Sequence, residues 1–152
     1  MALYLSEQDV RSVLGMPLAL ECVEQAHRWH AEGEAIDTPR ARSRTPQSAL
    51  HVLQAAVLPL GLTGCKLYTS SREGARFWVH LFDAATGRPL AVIEADWLGR
   101  MRTGAMGGLG ARLLAREDAR VACVFGAGGQ ARSQIEALLD RKSTRLNSSH
   151  RL

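Results

Sequence analysis

Residues Val121–Gln134 read VACVFGAGGQARSQ, and the fold turns on how this stretch is understood. Val121 to Phe125 form an unbroken apolar run, the pattern of a strand buried on both faces, and Gly126-x-Gly128-x-x-Ala131 follows directly. A helix is then predicted, with Ala131, Ile135, Leu138 and Leu139 on one face. In that setting Gly126 permits a tight turn, Gly128 lets backbone N–H groups approach a pyrophosphate, and Ala131 lets helix and strand pack closely. The start of the helix adds partial positive charge. The expectation is a dinucleotide-binding strand–turn–helix; the bland alternative is an ordinary glycine-rich turn.

The motif begins in the last quarter of a 152-residue chain. Beyond it, Asp140 to His150 (DRKSTRLNSSH) break the helical pattern and look like a translated sequencing adapter, against the alternative of a natural polar C-terminus. Native sequence is then expected to stop near Leu139. The residue about 20 positions past the glycines that separates NAD from NADP would be absent. The expected organisation is 1–118, a substrate-binding and dimerisation domain; 119–139, the first strand–helix unit of a truncated Rossmann domain; and 140–152, a non-native tail.

Charge depends on that tail. Residues 140–152 hold Arg141, Lys142, Arg145 and Arg151 against Asp140, so the formal +4 of the whole chain falls to +1 without them. Arg40, Arg42 and Arg44 alternate as on a strand and leave no basic stripe with interleaved aromatics, so no nucleic-acid partner is expected. The N-terminus lacks a basic and an apolar signal region, and Ala49–Leu62 is interrupted by His51, Gln54 and Pro59, so no membrane span is expected and the cytoplasm is the expected compartment. Cys22, Cys65 and Cys123 are scattered without a CxxC and read as buried small hydrophobes in a reducing compartment.

Ser6 reads as the N-cap of a short helix ending near Gly15, and Pro17 as the opening of a second that presents Ala19, Cys22, Val23, Ala26 and Trp29 and stops at Gly33. Strands are predicted within Pro39–Leu58, over Gly61–Thr69, over Arg76–Phe82 and over Leu90–Ile93, the last two joined by a hairpin with Thr86-Gly87 in its turn. The predicted class is α/β: a mixed or antiparallel sheet with helices, followed by the start of a Rossmann domain.

Two features stand out from this background. Between Asp96 and Ala115, Leu98, Met101, Ala105, Leu109 and Leu113 keep helical spacing although Gly99, Gly104, Gly107, Gly108 and Gly110 lie among them. Five such glycines cost a helix roughly 4–5 kcal/mol relative to alanine, so close approach of another backbone or of a cofactor is expected to offset them, with an irregular loop as the alternative. Arg102 falls on the same apolar face and calls for an anion. The second feature is Lys66, the one lysine beside fourteen arginines before residue 140. A desolvated ammonium can exchange a proton near neutrality, which a guanidinium cannot; an arbitrary surface lysine is the other reading.

Pro39-Arg40, Gly64-Cys65-Lys66, Leu81 to Leu90 (LFDAATGRPL), Arg102-Thr103-Gly104-Ala105 and Phe125 to Ala131 (FGAGGQA), in that order, resemble the ornithine cyclodeaminase/mu-crystallin family. The resemblance implies a homodimer-forming substrate domain with a Rossmann domain, binding NAD or NADP and acting on a small α-amino or α-imino acid as an ornithine cyclodeaminase, alanine dehydrogenase or ketimine reductase does. It implies Lys66 as the catalytic acid, and Arg40, Lys66 and Arg102 as substrate-binding residues. It further implies Arg102, Thr103, Gly126, Gly128, Gly129 and Gln130 as cofactor-binding residues. Ornithine-specific members carry Glu where His51 aligns, which puts ornithine in doubt as substrate. The family's catalytic Asp lies beyond the fingerprint, so the chain as written is expected to be inactive. The rival reading is a non-catalytic, crystallin-like dimeric binding protein on the same fold. No metal site is expected: Glu24, His27 and His30 lack a second set of ligands, His80 reads as a sheet histidine, and Ser70-Ser71 as turn material without a base.

Overall fold

A computed structural model describes residues 1–148, with side chains up to residue 140. Contacts divide the chain into two compact units, one of Met1–Val13 with Ala26–Leu98, the other of Leu14–Gln25 with Gly99 onward.

The first unit is a seven-stranded mixed sheet: β1 (Leu3–Leu5), β2 (Ala35–Asp37), β3 (Ala41–Arg44), β4 (Ser48–Val57), β5 (Leu62–Ser71), β6 (Gly74–Asp83) and β7 (Pro89–Glu94). The order is β1-β7-β6-β5-β4-β2, with β3 also on β4. Only the β1–β7 pair is parallel. The long strands lie where alternation predicted them, and the β6–β7 hairpin turns as expected. There Asp83 Oδ1 accepts hydrogen bonds from the backbone N–H of Ala85 (3.1 Å) and Thr86 (2.8 Å) and from the Thr86 hydroxyl (2.7 Å). Gly87, at φ +71°, takes the left-handed step that a side chain would resist.

Helix α1 (Glu7–Val13) begins as the sequence suggests. The Ser6 hydroxyl donates to Asp9 Oδ2 at 2.6 Å and accepts from the Asp9 N–H at 3.3 Å, a reciprocal cap that holds the Asp9 carboxyl below its usual pKa. Glu7 in turn accepts the N–H of Asp96 (2.5 Å) and of Trp97 (3.0 Å), while Glu94 accepts the Glu7 N–H (2.7 Å) and the Tyr4 hydroxyl (2.8 Å). These bonds tie the N-terminal segment to the end of β7 and to the first turn of α3 (Asp96–Leu114).

Helix α2 (Met16–Ala31) buries Met16, Ala19 and Leu20, not the whole predicted face; Cys22 and Ala26 are exposed. Cys123 is exposed as well and Cys65 is only half-buried, so none of the three cysteines is the buried hydrophobe expected. Positions 16, 19, 20 and 23 share one side of the helix and Cys22 lies about a third of a turn away, whereas Ala26 shares the side of Ala19 and is exposed two turns further along.

In the second unit α3 is a full helix despite its glycines, and it buries Met101, Gly104, Ala105, Gly108 and Leu109. A Cβ at Gly104 would collide with the Ser133 backbone, and one at Gly108 would stand 2.8 Å from the Ala137 side chain. Both neighbours lie on α4 (Ala131–Ser148). Another backbone is thus the partner that the glycines admit. Arg102 is exposed, one residue round from the buried line, which removes the expected need for a buried anion.

Two further expectations are corrected. Val121–Phe125 form no strand, and Val121 and Phe125 are almost fully exposed, because no described segment offers them a ladder. Helix α4 continues past Leu139 to Ser148 instead of breaking at Asp140; Arg, Lys and Leu in that stretch are good helix formers. Residues 149–152 of the expected tail lie outside the described residues.

Candidate functional site

In the first unit, antiparallel register builds a platform on one face of the sheet. His51 on β4 faces Tyr68 on β5, and Tyr68 faces Phe77 on β6. The imidazole stacks on the Tyr68 ring at 4.2 Å with planes 1° apart, and Phe77 tilts against it at 5.0 Å. Two cations sit over this row. Lys66 Nζ lies 5.4 Å from the Tyr68 centroid and 5.1 Å from that of Phe77, and the Arg40 guanidinium carbon lies 5.9 Å from Tyr68. Both fall within cation–π range. Two of the three residues singled out as substrate-binding, Arg40 and Lys66, thus meet over one ring; the third, Arg102, lies on α3 in the second unit.

His51 is the least satisfied member. Its Nε2 is 3.0 Å from the Ser70 hydroxyl, while its Nδ1 is buried without a hydrogen-bond partner. Burial, then the charges of Arg42, Arg40 and Arg44, push the imidazole pKa below its usual value, so the ring is neutral at pH 7. Ser70 therefore does have a base within reach, contrary to expectation, because β4 brings His51 beside it. Tyr68 and Phe77 were not singled out from sequence; their positions opposite His51 follow once the strand register is known.

In the second unit, Gly126 at φ +94° makes the turn ahead of α4, and the Gly128 carbonyl accepts the Ala131 N–H at 3.0 Å. No atom comes within 4 Å of where a Gly128 side chain would begin, so its backbone is open to an incoming group. Gly129 has the Arg100 guanidinium on the far side of such a Cβ, at 3.5 Å. An open groove of about 510 Å³ runs beside this turn past Ala127, Gly128, Ala131, Arg132 and Ile135. The Gln130 carbonyl accepts from the Ser133 hydroxyl (2.9 Å) and from the Gln134 N–H (3.2 Å). The Thr103 hydroxyl donates to the Gly99 carbonyl at 2.6 Å, and the Thr103 carbonyl accepts from Gln134 Nε2 at 3.2 Å, so this threonine belongs to the α3–α4 seam. Arg112 pairs with Glu24, which takes that carboxylate out of the weak metal constellation.

Residues 2–146 match the model of the ornithine cyclodeaminase/mu-crystallin family. The chain belongs to this family. It is similar to the alanine dehydrogenase of Archaeoglobus fulgidus, 33% identical over 144 residues that cover 90% of this chain and 44% of that protein. Among solved structures, an archaeal alanine dehydrogenase dimer with bound NAD superposes with a TM-score of 0.87 at 32% identity, covering 91% of this chain and 45% of the other. The Thermococcus litoralis Δ1-pyrroline-2-carboxylate reductase, in complex with NADH and L-proline, superposes with a TM-score of 0.85 at 28% identity, covering 91% and 46%. The chain therefore spans about half the length of the relatives it matches.

Proposed function

We propose that this chain supplies the substrate-binding part and the first phosphate-binding turn of an NAD- or NADP-dependent enzyme acting on a small α-amino or α-imino acid. The observation that carries this reading is the convergence of Arg40 and Lys66 over the Tyr68 ring in a member of this family. A guanidinium grips a carboxylate through two parallel N–H donors, and an ammonium beside it adds a point charge and a transferable proton. Arg40 holds the α-carboxylate; Lys66 shares it and donates a proton to the reacting nitrogen or oxygen. The glycine turn and the first amides of α4 suit a pyrophosphate, since Gly128 leaves its backbone open and Gly126 accepts the strained turn. Gly129 and Gln130 complete that cradle, and the family resemblance adds Arg102 and Thr103 as further cofactor residues. When bound, the nicotinamide exchanges the hydride that relates amine and imine. By analogy with the dimeric alanine dehydrogenase, the working form is a homodimer.

The test is NADH or NADPH oxidation by a form extended to the family's full length, supplied with Δ1-pyrroline-2-carboxylate or with pyruvate and ammonia. Turnover with one of them, lost in Arg40→Ala, supports the reading. A form that binds neither nicotinamide nor amino acid refutes it.

A further inference from the structure

Residues 38–72 contain Arg40, Arg42, Arg44, Lys66 and Arg72 and not one carboxylate. β3 and β4 pair so that Arg42 stands opposite His51 and Arg44 opposite Ala49, on the face that carries the His51–Tyr68–Phe77 row. Arg42 is the cross-strand partner of His51 on the β3–β4 ladder, so the two side chains leave the sheet on one face as neighbours. Neither Arg42 nor Arg44 has an ion-pair partner among the described residues. An α-carboxylate held by Arg40 and Lys66 leaves this second pair of charges uncompensated. It also leaves the Nδ1 of His51, the cross-strand partner of Arg42, buried without a hydrogen-bond partner.

We infer that the substrate is an α-amino or α-imino acid with a second carboxylate on its side chain, received by Arg42 with the edge of His51 as its polar contact. The inference rests on the reading of Arg40 and Lys66 as the α-carboxylate site. A cationic side chain such as that of a diamino acid meets repulsion from Arg42 and Arg44, and a neutral imidazole offers it no countercharge. An apolar side chain leaves the arginines hydrated and the Nδ1 unmatched. A carboxylate satisfies both, and Arg44 adds longer-range attraction.

Isothermal titration of this chain with L-aspartate, L-alanine and L-ornithine tests the assignment. Aspartate is expected to bind about 10-fold more tightly than alanine, and ornithine more weakly than alanine. Arg42→Gln should bring the aspartate-to-alanine ratio to within about two-fold, and Arg42→Lys should restore most of it, with circular dichroism checking that each variant is folded. A ratio near one in the parent chain, or one that survives Arg42→Gln, overturns the inference. Arg40→Ala tests the underlying reading separately, because it should weaken all three amino acids together. If it changes none of them, or if nothing binds to the parent chain, the α-carboxylate site fails and the inference fails with it.

Discussion

The two units are held together in opposite ways. In the sheet unit only Val10, Ile93 and Ala95 are buried among the described residues, and the long strands are half-buried ribbons secured by their ladders. In the helical unit Met16, Ala19, Leu20, Met101, Ala105, Leu109 and Ala137 are buried, and glycines let two helix backbones touch. A half-buried strand leaves side chains such as Lys66, Tyr68 and His51 on display for a ligand. A glycine-lined helix pair offers no such display; what it presents instead is backbone, at the Gly126–Gln130 turn. On the proposed function, one unit recognises a substrate by side chains and the other a phosphate by amides.

The sharpest way to break this contrast is at Lys66. In a form of full family length, Lys66→Arg keeps the charge but removes an accessible proton, so turnover should fall about 10²–10⁴-fold while nicotinamide binding stays within a few-fold. Steady-state and binding measurements together decide it, and near-parental kcat would reduce the lysine to an anchor.

In the helical unit the contrast predicts that equal substitutions have unequal effects. Gly104→Ala drives a methyl into the Ser133 backbone and should destabilise the fold by about 1–3 kcal/mol by urea unfolding. Gly110→Ala, where nothing lies within 4 Å, should stabilise it by up to about 1 kcal/mol. Similar values for both would mean that α3 and α4 do not meet at that seam. In the sheet unit, Glu7→Ala removes the acceptor at the start of α3 and should cost about 1–2 kcal/mol in the same assay.

The smallest effect is a pH effect. Since burial and the arginines hold the His51 pKa below 6.5, the unfolded chain takes up more protons than the folded one as pH drops below that value. Stability therefore falls with pH in that window. By NMR titration, Arg42→Gln should move the His51 midpoint upward, and a midpoint at or above 6.5 in the parent chain would contradict the assignment.

Legibility in the sequence followed the same division. Period-two alternation with Gly and Pro punctuation marked β4 to β7 and the Asp83–Pro89 turn, because strand pairing there is local and consecutive. The glycines of α3 announced a close approach but not its partner, which comes from 29 residues further along in each case (Gly104 to Ser133, Gly108 to Ala137). Arg102 and Cys22 were misplaced for one reason: helical periodicity tells which residues share a face more reliably than how wide the buried stripe is. Arg40 and Lys66 were singled out through resemblance and do come together, whereas the aromatic row beneath them needed the register. Val121–Phe125 had the composition of a strand, but a strand exists only where another chain segment completes its hydrogen bonds.

The bonds from Glu7 and Glu94 have a consequence for the order in which the protein is made. β1 pairs in parallel with β7, and the carboxylates of residues 7 and 94 exchange partners across almost ninety residues of chain. During synthesis residues 1–13 have no place to dock until residues 89–97 have left the ribosome, so a segment translated well before its partners is among the last of its unit to settle.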